Sequence, residues 1–302
     1  MSAGAAVEPI AISSSVVGSQ LCKAIVDEVE KVFRGNRHAV QLVLTTILAR
    51  GHVLFEDVPG VGKTTLARAF AHVLGASHNR IQFASDLMPA DIVGVGIFNT
   101  ESRHFEFKQG PIFCNVLLAD EINRTTPRTQ SALLEAMAEQ HVTVDGTTHA
   151  LPPPFIVLAT QNPREFHGTY PLPESQLDRF LMRLSVGYPS AEIERSLIKN
   201  HGAPLGMQNV NVVATPAKLL ALIDATAQIH VADEVLSYLH KLVAGTRTDR
   251  KFELGLSTRA AIGFYRAVQA RAMVSGRDFA TPDDVRNIFV PIAAHRVIAA
   301  GA

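Results

Sequence analysis

The sequence is poor in cysteine and carries no net charge. Two cysteines, Cys22 and Cys114, among 302 residues cannot build a disulfide framework, and their spacing fits no zinc motif. Both stand among apolar neighbours, so buried reduced thiols are expected, which suits a reducing compartment. Lysine plus arginine number 28 and aspartate plus glutamate number 28. That balance leaves no global field to draw the chain onto nucleic acid or anionic lipid. No secretory leader is expected, because the first basic residue is Lys23 and no compact apolar segment follows Met1. The longest mostly apolar stretch, Ala39–Ala49, is interrupted by Gln41, Thr45 and Thr46 and is too short for a bilayer span. These absences predict a soluble cytoplasmic protein without membrane insertion. Glycine and proline, at 20 and 16, show no Gly-X-Y period, which excludes a collagen-like chain. What is present is apolar: 47% hydrophobic against 19% charged residues is too apolar for a disordered chain. The length predicts roughly two domains of about 150 residues, enough to bury a core without staples.

Patterning places the elements. The first dozen residues have no period and are expected to be a frayed end. Leu21, Ile25, Val29 and Val32 recur at helical spacing, and Ala39–Ala49 reads as a second, more buried helix. Three apolar runs, 52–55, 116–119 and 155–159, read as strands, and Ile81-Gln82-Phe83 reads as another. A weaker one lies at 184–186. Helical spacing follows the first of them at Leu66, Phe70 and Val73. Another helix starts at Thr126-Pro127, an N-cap followed by proline. Apolar strands alternating with helices argue for a parallel sheet covered on both faces. Two segments with period-two alternation, 93–108 and 142–150, read as β-hairpins inserted into this α/β layout, the second marked by Asp145-Gly146. Beyond Tyr188-Pro189-Ser190 the strand signal stops. Thr215-Pro216 and Thr281-Pro282 start helices, and 217–227, 233–244 and 258–274 have helical spacing. The expected division is an α/β domain over 1–188 and a small all-helical lid domain over 189–302.

Three motifs carry chemistry. Asp57-Val58-Pro59-Gly60-Val61-Gly62-Lys63-Thr64-Thr65 joins a strand to a helix. A glycine-rich turn there lets backbone N–H groups face phosphate oxygens, and the helix N-terminus adds a favourable dipole. Lys63 would reach the β- and γ-phosphates, and the Thr64 hydroxyl would bind Mg²⁺. The strict pattern has glycine where this chain has Asp57. The second motif is Val116-Leu117-Leu118-Ala119-Asp120-Glu121, a hydrophobic strand ending in two carboxylates. Asp120 would hold the metal through water, and Glu121 would polarise an attacking water as general base. The third is Ala159-Thr160-Gln161-Asn162-Pro163, where a polar amide at a strand's carboxyl end can orient that water.

Together with Leu177-Asp178-Arg179-Phe180, these motifs resemble the AAA+ ATPases, and more closely the MoxR branch, relatives of the magnesium-chelatase ATPase subunit. The resemblance runs from about Val16 to about Ala294, with the motifs in family order. It implies an AAA+ fold with a helical lid, the hairpins matching the helix-2 insert and pre-sensor hairpin. It also implies Mg²⁺-dependent ATP hydrolysis to ADP in a hexameric ring. Asn162 would be sensor 1. Arg179 would be an arginine finger reaching the ATP of a neighbouring subunit, with Arg124, Arg128 or Arg183 as rivals. Leu256-Ser257-Thr258-Arg259 looks like the sensor-2 motif, with Arg259 near the γ-phosphate, and Val16-Val17-Gly18 matches the segment that covers the adenine. Chaperone-like assembly or metal-cofactor insertion, beside a von Willebrand factor A-domain partner, is implied by the same resemblance.

Two other functions compete. A nucleic-acid motor would share the pre-sensor hairpin, but net charge and the lack of an appended DNA-binding domain oppose it. The basic cluster Lys241, Arg247, Arg250 and Lys251 has no aromatic platform beside it. A nucleotide-gated docking switch with incidental hydrolysis is the other. Twelve histidines form no metalloprotease pair.

Overall fold

The computed structural model describes residues 15–34, 36–58, 60–162, 168–199 and 207–301. The first part of the chain alternates helix and strand: α1 (Ser15–Val32), α2 (Arg37–Leu48), β1 (Val53–Glu56), α3 (Lys63–Val73), β2 (His78–Gln82) and α4 (Pro89–Val93). A hairpin comes next, β3 (Gly94–Asn99) with β4 (His104–Gln109), then β5 (Val116–Asp120) and α5 (Pro127–Glu139). A second hairpin, β6 (His141–Val144) with β7 (Thr147–Ala150), leads into β8 (Ile156–Gln161), α6 (Glu174–Leu177) and β9 (Met182–Leu184). The rest is mainly helical: α7 (Ala191–Lys199), α8 (Pro216–Thr226), α9 (Asp233–Thr248), β10 (Phe252–Leu254), α10 (Thr258–Val274), α11 (Pro282–Ala293) and β11 (Ile298–Ala299). The expected frayed end at 1–12 lies outside the described residues.

Five strands form one parallel sheet in the order β2-β5-β8-β1-β9. Strand alternation splits its side chains between two cores. Val53, Phe55, Leu118, Leu158 and Met182 pack with α1–α3 and with the lid helices α8, α10 and α11. Leu54, Leu117, Val157 and Ala159 pack with Leu133, Leu134 and Met137 of α5 on the other face. Both faces are therefore covered, which is why these strands read as unbroken apolar runs. The edge strand β2 is shifted toward the polar residues His78–Arg80, because an edge strand has one open side. The two expected hairpins are antiparallel ribbons, and the second turns at Asp145 and Gly146 with positive φ at both. The lid is helical, with one addition: β10 and β11 form an antiparallel ribbon of three and two residues, too short to leave a period in the sequence.

Two lid helices, α8 and α11, start where a cap is legible. The Thr215 side chain accepts from the backbone N–H of Lys218, and Thr281 and Asp284 form a reciprocal capping box. Among the described residues, no helix is long and apolar enough to cross a membrane.

Two buried histidines make stability depend on pH. His52 sits between β1, β8 and α5, where its Nδ1 accepts from Val157 N–H at 3.0 Å and its Nε2 donates to the Met137 carbonyl at 3.3 Å. Burial pulls it down to about 4, against that bond to Met137. Burial and the nearby Arg296 pull His295 down to about 3. The unfolded chain therefore binds more protons than the folded one below about pH 6.5. Stability is fully present above that value and falls on acidification, by on the order of 1.4 kcal/mol per pH unit for each histidine. Melting temperature should drop between about pH 7.5 and about pH 5. A flat or rising profile contradicts this account.

Candidate active site

The carboxyl ends of β1, β5 and β8 lie side by side. Gln82 pairs with Asp120 in the register, Ala119 with Ala159, and Glu56 with Gln161. The segments leaving these strands therefore meet at one edge of the sheet, where open α/β folds bind ligands. There a cavity of about 350 Å³ is lined by Asp57, Gly60, Gly62, Lys63, Thr64, Arg80, Asp120, Glu121, Thr160, Gln161 and Asn162. Three separate motifs of the sequence are thus brought into one space. Pro59 lies outside the described residues.

The loop owes its path to glycine. Gly60 and Gly62 have φ of 85° and 90°, a region that side chains rarely tolerate. Gly62 opens α3, so the free N–H groups of that helix face the cavity. A side chain at Gly62 would also approach within 3.3 Å of the Phe33 ring. Asp57, the departure from the strict pattern, is an anchor. Its Oδ2 accepts from Val186 N–H at 2.6 Å, Gly187 N–H at 2.8 Å and Ser185 Oγ at 3.0 Å. Burial opposes the charge of this carboxyl, but the bonds from Gly187, Ser185, Val186 and Val58 outweigh it and hold it below the usual range. The loop's first residue is thereby tied to the segment after β9. Lys63 Nζ donates to the Asp57 carbonyl at 3.0 Å. Burial lowers the affinity of Lys63 for its proton, against the attraction of Asp57, Asp120 and Glu121.

One hydroxyl sets both acids. Thr160 Oγ1 donates to Asp120 Oδ1 at 2.6 Å and accepts from Glu121 N–H at 2.9 Å. Asp120 Oδ2 takes the guanidinium of Arg80 at 2.6 Å. Glu121 has a left-handed backbone, with φ of 58°. A non-glycine residue in that state marks a place where the surroundings override local preference. Its carboxylate accepts from Gln82 Nε2 at 2.8 Å and pairs with Arg124 Nε at 3.3 Å. The sequence motifs give no role to Arg80, Gln82 or Thr160. A signal exists for two of them: Arg80 and Gln82 alternate on β2, next to the strand that ends in the acids.

A second cavity, of about 370 Å³, adjoins the loop. Val32, Phe33, Arg34, Asn36, Val61, Thr65, Val186, Tyr188, Pro189 and Leu197 are among its walls. It is mostly apolar with a few polar edges, the character of a small-molecule pocket. This corrects the expectation for Val16-Val17-Gly18. Those residues begin α1, while Phe33, at the loop, follows its last residue, about 25 Å away along the helix. Gly18 instead packs against Met273 and Leu222 of the lid, and Val16 and Val17 are exposed. Val32, Phe33, Arg34 and Asn36 are the residues beside the loop. In the sequence the first place reads Val16-Val17-Gly18 and the second Val32-Phe33-Arg34-Gly35, each an apolar pair with a glycine close behind it.

The arginines divide. Arg179 and Arg259 line a third cavity of about 380 Å³, with Arg50, His52, Asp178, Leu181, Ile262, Gly263, Arg266 and Arg296. It lies where β1 and β9 begin, as Leu181 N–H donates to the His52 carbonyl. From His52 to Asp57 is about 16 Å of extended chain, so this cavity is at the opposite end of the sheet from the phosphate-loop cavity. The expectation that Arg259 stands near its own γ-phosphate site is therefore corrected: it and Arg179 are together, away from that site. Arg179 Nη1 donates to the Leu134 carbonyl at 2.9 Å. Of its rivals, Arg183 is taken up by Glu56 at 2.8 Å and the Ala294 carbonyl at 3.1 Å, Arg124 by Glu121, and Arg128 is exposed on α5.

Residues 52–182 match the model of the ATPase family associated with various cellular activities (AAA), and residues 244–302 match that of the AAA lid domain. The chain is 44% identical over 273 residues to the uncharacterised protein YeaC of Bacillus subtilis, covering 90% of this chain and 85% of that protein. It is 40% identical over 282 residues to the chaperone MoxR1 of Mycobacterium tuberculosis, covering 90% of this chain and 74% of the relative. The crystal structure of a candidate ATPase from Cytophaga hutchinsonii superposes with a TM-score of 0.87 at 36% identity, over 95% of this chain and 90% of the other.

Proposed function

The chain belongs to the MoxR branch of the AAA+ ATPases, and on that premise we propose that it is a Mg²⁺-dependent ring ATPase, hexameric, that remodels partner proteins in the cytoplasm. Each catalytic site is shared between two copies. The carrying observation is the separation of two cavities: one lined by the phosphate loop and two acids at one end of the sheet, and an arginine-rich one at the other. A guanidinium at the far end cannot serve its own nucleotide. It can serve the next copy, and a contact between unlike faces repeats head to tail until a ring closes.

The loop N–H groups and Lys63 hold the phosphates of ATP or ADP. The adenine lies in the cavity beside Phe33, Val61, Thr65 and Tyr188. Glu121 takes the proton of the attacking water, which the Asn162 amide orients. Thr64 and Asp120 present oxygen donors alone, as a hard divalent cation requires. They would hold Mg²⁺, which supplies neutralisation of charge on the phosphates. Arg179 and Arg259 of the adjacent copy stabilise the charge of the transferring group. The α/β part over 1–188 carries the nucleotide, and the lid over 189–302 presents Arg259. Family membership supports chaperone-like assembly or metal-cofactor insertion as the work done, with a von Willebrand factor A-domain protein as partner.

Lys63→Ala should lose nucleotide affinity by at least about tenfold, since it deletes the half-buried ammonium that would face the phosphates. Chelating Mg²⁺ should abolish phosphate release by the parent protein. Unchanged binding of labelled ATP by the variant, or full turnover in chelator, would count against the assignment.

A further inference from the structure

We propose that Asp178, Ser257 and Arg296 form a clamp that sets Arg179 and Arg259 in one fixed constellation for a neighbouring copy's phosphates. The proposal rests on reading the amino-end cavity as the part of the site lent to that neighbour. Asp178 directly precedes Arg179. Its Oδ2 accepts from Ser257 Oγ at 3.0 Å. Ser257 is the N-cap of α10, its Oγ accepting from Ala260 N–H at 3.0 Å, and Arg259 is the second residue of that helix. One carboxylate oxygen thus joins the residue beside one arginine to the cap beside the other.

The other carboxylate oxygen fixes the clamp from behind. Asp178 Oδ1 accepts from Arg296 Nε at 2.6 Å, and the Arg296 side chain is only 4% exposed. Its Nη1 donates to the carbonyls of Leu181 at 3.0 Å and Ile292 at 2.5 Å. Its Nη2 donates to those of Asp178 at 3.0 Å and Phe180 at 2.5 Å. The guanidinium fork therefore spends its donors on the 178–181 turn of the core and on α11 of the lid. Arg259, by contrast, is exposed and holds no partner among the described residues. Arg179 uses one nitrogen on Leu134 and leaves its buried Nε without a partner.

Placement of this kind matters because a transition-state contact misplaced by about 1 Å can lose on the order of 10²-fold in rate. The core carries Arg179 and the lid carries Arg259. Were the lid free to rock, the two would not meet one phosphate group together. The clamp residues touch no phosphate and act through the arginines, as positioning residues.

The test is at Ser257, which can be changed without breaking the buried Asp178–Arg296 pair. Ser257→Asp keeps a strong N-cap but sets a second carboxylate against Asp178. Ser257→Asn also caps, and its amide can donate to Asp178. Ser257→Asp should bind labelled ATP like the parent yet turn it over on the order of 10²-fold more slowly. Ser257→Asn should stay within a few-fold of the parent. Mixed with Glu121→Gln protein, which lends intact arginines, Ser257→Asp protein should regain turnover. Mixed with Arg179→Ala protein it should not. Parental turnover by Ser257→Asp, loss of its nucleotide binding, or an equal loss in Ser257→Asn overturns the clamp. Normal turnover by Arg179→Ala alone would remove the trans reading itself, a result distinct from any seen at Ser257, and the clamp with it.

Discussion

Arg179→Ala is expected to lower ATP turnover by on the order of 10³-fold or more while leaving nucleotide affinity near that of the parent protein. The two halves of this expectation have different sources. Affinity survives because Arg179 lines a cavity that shares no residue with the one holding Lys63, Asp120 and Glu121. Turnover falls because phosphoryl transfer spreads charge over the moving group, and a guanidinium in a dry site is worth most there. Steady-state phosphate release and equilibrium titration with a labelled analogue separate the two. A structural role alone would predict loss of both, since Arg179 also donates to Leu134 of α5.

Glu121→Gln is the second large effect. The amide keeps the shape of the side chain but cannot accept a proton. Turnover should fall by on the order of 10²–10⁴-fold, with ATP still bound. Gln82 and Arg124 both meet this carboxylate, and its backbone is held in a left-handed state. So much local structure converging on one side chain is better explained by chemistry than by folding. Single-turnover measurements decide it: bound ATP should persist unhydrolysed in the variant and be cleaved in the parent. Rapid cleavage by the variant would move the general base elsewhere in the cavity.

Much of this is readable in the sequence. Buried parallel strands announce themselves as apolar runs, and the Thr-Pro pairs at 126, 215 and 281 mark helix starts by residue type. The phosphate loop and the two acids are contiguous in the chain, so spacing suffices to find them. Whatever depends on distant segments meeting cannot be read that way. Thr160 joins the two acids only because β8 lies beside β5, and Arg80 and Gln82 matter only because β2 is the other neighbour. Asp57 is a bare departure from a motif until its three partners at 185–187 are placed opposite it. A motif gives Arg259 as a residue but not its side of the sheet, so the expectation that it faces its own nucleotide fails. The adenine segment fails for a simpler reason: Val16 opens α1, whereas the residues beside the loop come at and just past its other end, about 25 Å away.

The sharing of one catalytic site between two copies is tested most directly by mixing two inactive proteins. Arg179→Ala keeps its acids and lacks the finger, whereas Glu121→Gln keeps the finger and lacks the base. In random rings about one site in four combines an intact acid with an intact neighbouring arginine. ATP turnover of the mixture should therefore rise well above that of either protein alone, to roughly a quarter of the parental rate. A mixture no more active than its components, under conditions where subunits exchange, would contradict it.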